Sequence, residues 1–304
     1  MKCVFSVDVE DWFHILDIAS APAVGEWAAL PSRVEKNFMK LLDLFSGAGC
    51  TVTCFFLGWV AERFPHLVRE AHGRGHEIAS HGYAHRLVFE LNREEFMQDA
   101  VVSRKILEDL TGEPVIGYRA AGFSITGSTR WFADELLNAG YLYDSSVFPA
   151  PRQHGGLKDG RDIPYFIGEP SKGLLEFPMT VGRVLCLRFC FSGGGYLRLF
   201  PLPFVRHMTK RLLADGRPVI FYVHPREIDP SHPRLPMPPL RRFKSYVNLR
   251  TTETKIRKLL GEFQVTSFRD FIASDLETLL PPGSEAAISR LNGRPARAHE
   301  INQV

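Results

Sequence analysis

Cysteine is scarce in this chain and badly spaced for pairing. The five in 304 residues, Cys3, Cys50, Cys54, Cys186 and Cys190, make an odd number, and no two stand in a C-x-x-C spacing. That excludes a disulfide framework and a zinc ribbon, and predicts reduced, mostly buried thiols. Charge of one sign is equally scarce. The 37 basic and 34 acidic residues leave a net +3, and no basic run interleaves with aromatics, so nucleic acid is not an expected partner. No apolar stretch approaches the roughly 20 residues that would span a bilayer. The opening Lys2-Cys3-Val4-Phe5-Ser6-Val7-Asp8 brings an acid too early for the apolar core of a signal peptide. These absences predict a cytoplasmic protein. What is present is ordinary globular material, 45% hydrophobic and 23% charged, whose length fits two domains or one α/β unit with additions.

Val4-Phe5-Ser6-Val7 reads as a short strand that stops at acids. Val34, Phe38, Leu41, Leu42 and Phe45 then recur at helical spacing before Gly47 and Gly49. Residues 51–57 return to strand character, 60–72 are helical, 77–79 form a brief strand and 93–110 an amphipathic helix. A strand over 115–118, a helix over 129–138 and a strand over 141–143 follow. Such alternation implies parallel strands with covering helices, in an open sheet or a barrel. Beyond residue 185 it breaks into aromatic, cysteine and glycine-rich sequence. Gly193-Gly194-Gly195-Tyr196 lacks the Lys-Ser/Thr of a phosphate loop and predicts a tight or flexible turn. A helix over 204–215, a buried strand over 219–223, a helix over 252–263 and a strand at Val265 complete the pattern. From residue 273 to 304 a polar, arginine-containing tail is expected to be flexible.

The chemistry concentrates at predicted strand ends. Asp8, Glu10 and Asp11 close the first strand, and His81 and His85 lie downstream with a spacing that lets both reach one ion. A carboxylate with two neutral imidazoles is a ligand set for a divalent metal that leaves positions open for water. Arg119, Asp144 and His224 stand at or just after three further strand ends. In parallel α/β architectures that edge is where active sites assemble. Taken singly, Arg119 would read as a structural ion pair, Asp144 as a cap before Ser145-Ser146, and His224 as a buried histidine before Pro225.

With these residues in order, the chain resembles the polysaccharide deacetylase family, the carbohydrate esterases that share the NodB homology domain. Five separated motifs carry the resemblance over residues 1–270: Asp8 with Glu10/Asp11, Ser80-His81-Gly82-Tyr83-Ala84-His85, Tyr118-Arg119-Ala120-Ala121-Gly122, Asp144-Ser145-Ser146-Val147-Phe148-Pro149 and Phe221-Tyr222-Val223-His224. The resemblance implies a distorted (β/α) barrel and a metal-dependent hydrolase that removes an N-acetyl group from an amino sugar. It also implies one divalent ion, zinc first with cobalt, nickel or iron as alternatives, bound by His81, His85 and Glu10 or Asp11. Asp8 would be the catalytic base oriented by Arg119. His224 would be the catalytic acid, with Asp144 orienting it, and Tyr118 and Tyr222 would contact substrate. Three departures stand out. One residue separates base and ligand acid, Ala121 replaces a usual proline, and Tyr222 replaces a usual leucine.

Amide hydrolysis needs those parts for its own reasons: an activated water, support for a developing oxyanion and a proton for the departing amine. Further segments, including Ser6-Val7-Asp8-Val9-Glu10-Asp11-Trp12-Phe13 and His224-Pro225-Arg226-Glu227-Ile228-Asp229, resemble the subgroup associated with exopolysaccharide and exosortase loci. The expected organisation is a deacetylase domain over 1–272, with residues 185–272 as its subgroup-specific part. A surface-glycan precursor is then the expected substrate, lipid-linked at the inner face of the membrane. Arg183, Arg188, Arg198, Arg206, Lys210 and Arg211 offer a candidate surface for anionic headgroups, set against a solvated helix face. Two other functions share the scaffold or the site: hydrolysis of a small cyclic amide of the purine-catabolic type, and non-catalytic glycan binding. His14 follows the acidic cluster closely, whereas the histidines at 66, 72, 154, 207, 232 and 299 are expected to be surface or packing residues. Oligomeric state has no signature in the sequence.

Overall fold

The computed structural model describes residues 1–16, 18–150, 155–157, 160–184, 187–280 and 284–293. Among these, eleven strands run in chain order: β1 Cys3–Val9, β2 Thr53–Phe56, β3 Glu77–Ser80, β4 Gly117–Tyr118, β5 Tyr143–Asp144, β6 Tyr165–Ile167, β7 Leu174–Glu176, β8 Val181–Val184, β9 Leu187–Cys190, β10 Val219–Val223 and β11 Val265–Thr266. The main sheet has the order β10-β1-β2-β3-β4-β5-β7-β6, and β11 adds to the first residues of β1. Its pairings are parallel except that of β6 with β7, while β8 and β9 form a separate antiparallel ribbon. The curled, mostly parallel sheet with outer helices is the distorted (β/α) barrel that the family resemblance implies, and it resolves the alternation's choice between open sheet and barrel.

The helices that matter for the site are α1 Val34–Gly47, α2 Gly58–Arg63, α3 Pro65–Gly73, α4 Arg93–Thr111, α5 Phe132–Asn138, α6 Gly194–Leu199, α7 Leu202–Ala214, α8 Pro239–Tyr246 and α9 Leu249–Glu262. The helix expected over 60–72 is two, because Pro65 starts α3 after Phe64 has left helical geometry. α1 buries Val34, Phe38, Leu41, Leu42 and Phe45 against Phe5, Val7 and Phe56 of the sheet. On the inner face, Phe55, Tyr143, Phe177 and Phe268 fill the barrel. β1 is buried along its whole length because strands flank it on both edges and side chains cover both faces.

Two expectations for the second half change. The triple glycine is not a loose turn: Gly193 precedes α6, and a Cβ there would meet the Tyr222 ring at 2.0 Å. Its role is close approach to Tyr222. In the segment expected to be a tail, Leu276, Ala287 and Leu291 are buried, the last two on a helix over Glu285–Leu291. Residues 281–283 and 294–304, with His154, Cys186 and His299, lie outside the described residues. Cys3, Cys50 and Cys54 are free, and burial pushes the Cys3 thiol up to about 12.

Candidate active site

The C-terminal ends of β1, β3, β4 and β10 meet at one open cleft of about 470 Å³, lined by Asp8, Glu10, His14, His81, His85, Tyr222 and His224 among others. β1 delivers Asp8, and a tight turn in which the Glu10 N–H donates to Asp8 O at 3.0 Å keeps both acids on the rim. Asp11 faces the other way. Its carboxylate accepts from the N–H groups of Trp12 (2.8 Å), Arg33 (2.9 Å) and Val34 (3.2 Å) and from Ser32 Oγ (2.5 Å), pinning the entry to α1. Glu10 is the acid that meets the histidines.

Glu10 Oε2 lies 3.4 Å from His85 Nε2, and Glu10 Oε1 lies 3.7 Å from His81 Nε2 and 3.2 Å from His224 Nε2. Burial opposes its charge, yet the imidazoles of His85 and His224 hold its carboxyl well below the usual carboxylate range. His81 Nδ1 is bonded to the Arg119 carbonyl oxygen at 2.7 Å, which turns Nε2 into the cleft. The loop between the two histidines is tied to α4, where the half-buried Asp99 carboxylate accepts from Tyr83 N (2.7 Å) and Ala84 N (3.3 Å). His85 itself adopts a left-handed φ of 52°, a conformation a histidine holds only when its surroundings impose it.

Donor atoms of Glu10, His81 and His85 lie within 4.8 Å of one another, as do those of Asp8, Glu10 and His224. The first group is the better cation site. Asp8 already faces a cation, Arg119, and His224 faces a second acid, Glu227, whereas both ring nitrogens of His85 are buried with no hydrogen-bond partner. An orphaned, desolvated imidazole beside a carboxylate fits a metal ligand.

Arg119 is fully buried. Its Nη1 donates to Asp8 Oδ1 at 2.6 Å and Ser6 Oγ at 2.7 Å, its Nε and Nη2 bond Ser145, and its guanidinium lies 4.1 Å from the Phe55 ring centroid. Asp8 Oδ2 is left facing His224 Nε2 at 3.8 Å. One oxygen of the acid is thus clamped and the other opens to the cleft.

Two sequence expectations need correction. Asp144 does not orient His224: it accepts from Ser146 N (3.0 Å) and Ser146 Oγ (2.6 Å) and shares a hydrogen bond with Glu176. Burial and the neighbouring Asp144 charge hold the Glu176 carboxyl well above its usual range, so this pair keeps a proton. Ser146 Oγ in turn accepts from Ala120 N at 2.7 Å, so Asp144 supports the Arg119 loop. Tyr118 is no cleft residue either: it is buried between Phe96 and Tyr141 in the outer core. Tyr222 does line the cleft, against Phe123 and the glycine turn.

The residue beside His224 is Glu227, three positions on in a short 3₁₀ turn, with its Oε2 3.6 Å from His224 Nδ1. Glu227 is held by Arg198 at 3.2 Å, both side chains being buried. Burial opposes its charge, but His224 and Arg198 bring its carboxyl down to about 2. Burial likewise opposes protonation of His224, and Glu10 with Glu227 overrides it, raising it to about 10. The signal was present in His224-Pro225-Arg226-Glu227, since a histidine and an acid three apart on a helical turn face one another.

His14 is buried behind His85, accepts from Asp11 N at 3.0 Å through Nδ1, and is packed against Trp27 and Trp59. The basic residues offered as a membrane surface are mostly engaged: Arg183 with Asp162, Arg198 with Glu227, and Arg206 and Lys210 with Glu262. No helix among the described residues is long and apolar enough to cross a membrane.

A distorted (β/α) barrel whose rim gathers three histidines, two acids and a buried arginine defines a class of scaffold, and comparison with known proteins shows what the chain resembles. Residues 29–140 match the family model described as Polysaccharide deacetylase, and residues 145–273 match one described as Domain of unknown function (DUF3473). Over residues 29–140 the chain thus resembles the polysaccharide deacetylase family. It is similar to the peptidoglycan deacetylase of Helicobacter pylori, 28% identical over 113 residues, which are 37% of this chain and 38% of that protein. It is also similar to the peptidoglycan-N-acetylglucosamine deacetylase of Bacillus cereus, 33% identical over 73 residues, 24% of this chain and 26% of that one. The chain thus spans little more than a third of the first of these relatives. The fold is shared with a Mycobacterium smegmatis protein assigned as a polysaccharide deacetylase (TM-score 0.61, 20% identity, 92% and 91% of the two chains) and with the allantoinase PuuE (TM-score 0.58, 19% identity, 90% of each).

Proposed function

We propose that this protein is a metal-dependent N-deacetylase acting on an N-acetylated amino sugar. The observation that carries the reading is the convergence of Glu10, His81 and His85 with the Arg119-clamped Asp8 and the Glu227-backed His224 in one cleft. The ligands would be Glu10, His81 and His85. A divalent ion bound there supplies a Lewis acid and a water of lowered pKa. Zinc is the first candidate, because a two-histidine, one-carboxylate set suits it.

The chain's own groups then divide the proton traffic. Asp8 Oδ2, free of Arg119, takes the proton of the attacking water, while Arg119 holds and aims the carboxylate. His224 enters protonated and gives its Nε2 proton to the departing nitrogen, so that the C–N bond breaks to a free amine and acetate. Glu227 stabilises the imidazolium from the far side, and Tyr222 bounds the space in which an acetyl group would sit.

Within this reading the substrate belongs to a surface-glycan or exopolysaccharide pathway, acted on as a lipid-linked precursor at the cytoplasmic side of a membrane. The domain over 1–272, with residues 185–272 contributing Tyr222, His224 and Glu227, is proposed as the functional unit. The test is acetate release from lipid-linked, nucleotide-linked and polymeric N-acetylhexosamines by metal-loaded protein. Release from at least one class is expected. Turnover of cyclic amides alone would replace the reading with the small-amide hydrolase, and glycan binding without any release would make the protein a binding module.

A further inference from the structure

We infer that the mouth of the cleft is a docking surface for a bilayer with anionic headgroups, and that α8 is its centre. The segment from residue 230 to 252 contains five arginines and lysines and no acid, in a chain whose whole net charge is only +3. α8 carries the two most exposed large apolar side chains among the described residues, Leu240 at 66% and Phe243 at 54%. Three apart on one helix, they share a face. Leu199, 44% exposed, belongs to α6 and lines the same cleft as Phe243. Arg242 and Lys244 flank this face, both exposed and without an acidic partner among the described residues.

Apolar tips among unpaired cations are the signature of an interfacial helix, whose apolar side enters the headgroup boundary while the cations meet lipid phosphates. A soluble anionic saccharide would use the cations but gain nothing from Leu240 and Leu199, and aliphatic side chains exposed together favour the bilayer. The surface is firmly mounted. Arg198 donates to the carbonyl oxygens of Lys244 (3.1 Å), Ser245 (2.8 Å) and Val247 (3.2 Å) while bonding Glu227, so α8 is anchored to the group behind His224. Docked this way, the cleft opens toward the lipid.

Co-sedimentation of the full chain with phosphatidylcholine vesicles, with and without phosphatidylglycerol, tests this at low and high salt. Binding to the anionic vesicles only, released by salt, is expected. Arg242→Gln/Lys244→Gln should lower the partition coefficient roughly 10–30-fold, and Leu240→Ser/Phe243→Ser should lower it comparably. These are surface positions, and an unchanged thermal midpoint checks that each variant folds; should one not fold, the other pair and the salt dependence of the wild type decide. No vesicle binding, or binding unchanged in both variants, overturns the inference. So does loss on charge removal alone with full competition by a soluble polyanionic saccharide, which would make the site a glycan groove. No substrate or metal enters this measurement, so its failure leaves the deacetylase reading standing, and failed acetate release leaves the docking surface standing.

Discussion

Arg198 and Glu227 form a buried ion pair at 3.2 Å, directly behind the imidazole of His224. Because Glu227 raises the His224 pKa, its removal shifts proton loss from His224 to lower pH. Glu227→Gln should therefore move the basic limb of the pH–rate profile downward and reduce kcat by roughly 10–100-fold, with metal content unchanged. An unshifted basic limb would reduce Glu227 to a structural cap.

Asp8 and His224 should behave as proton-transfer groups. Asp8→Asn and His224→Ala are expected to keep the fold and most bound metal while losing roughly 10²–10⁴-fold in rate. Elemental analysis and steady-state kinetics on the same preparations separate the two effects.

The two acids beside one another at the end of β1 should differ in kind. Glu10→Gln should weaken metal binding more than the roughly 10–100-fold that loss of supporting contacts alone produces, and a chelator should abolish activity that added divalent metal restores. Asp11→Ala should instead lower stability by about 1–3 kcal/mol by stranding the Trp12, Arg33 and Val34 amides. Denaturant titration and metal titration of both variants read the difference.

Glu176→Gln should be nearly silent, because Glu176 already carries a proton beside Asp144 and the amide can donate in its place. Glu176→Ala should lower stability by about 1–3 kcal/mol, leaving Val147 N and Asp144 short of a partner. Equal destabilisation in both would mean that Glu176 is ionised.

Acid should destabilise the fold before the carboxylates titrate. Burial brings His76 and His232 each down to about 4, below the unfolded value of about 6.5. A depressed histidine contributes stability that is complete above the unfolded pKa and is lost as pH falls through the folded one, since the unfolded chain binds the proton first. The unfolding free energy should fall between pH 6.5 and 4, and His76→Phe should flatten that slope.

The parallel alternation was legible because buried strands and amphipathic helices leave different periods in the sequence. The rim position of Asp8, His81, Arg119 and His224 followed from their places at strand ends. α10, Phe268–Ser274, was not predicted: it buries Phe268, Phe271 and Ile272, but seven residues are too few to establish a period. Asp144 and Tyr118 were placed in the site because they stand in the right motifs, yet strand ends only two residues long give little control over direction. Tyr118 turned outward to pack on Phe96, and Asp144 settled on Ser146 and Glu176.

The sequence by itself determined the scaffold and the donor types, since hydrophobic period, strand-end position and ligand chemistry are local properties of the chain. Only the tertiary structure decided that Glu10 rather than Asp11 meets the histidines, that Glu227 stands behind His224, and that Arg198 links the site to α8. Each of these depends on the direction in which a side chain leaves the backbone and on partners distant in sequence, as Glu10 is from His81 and His224. Packing fixes such directions, and no local pattern records them.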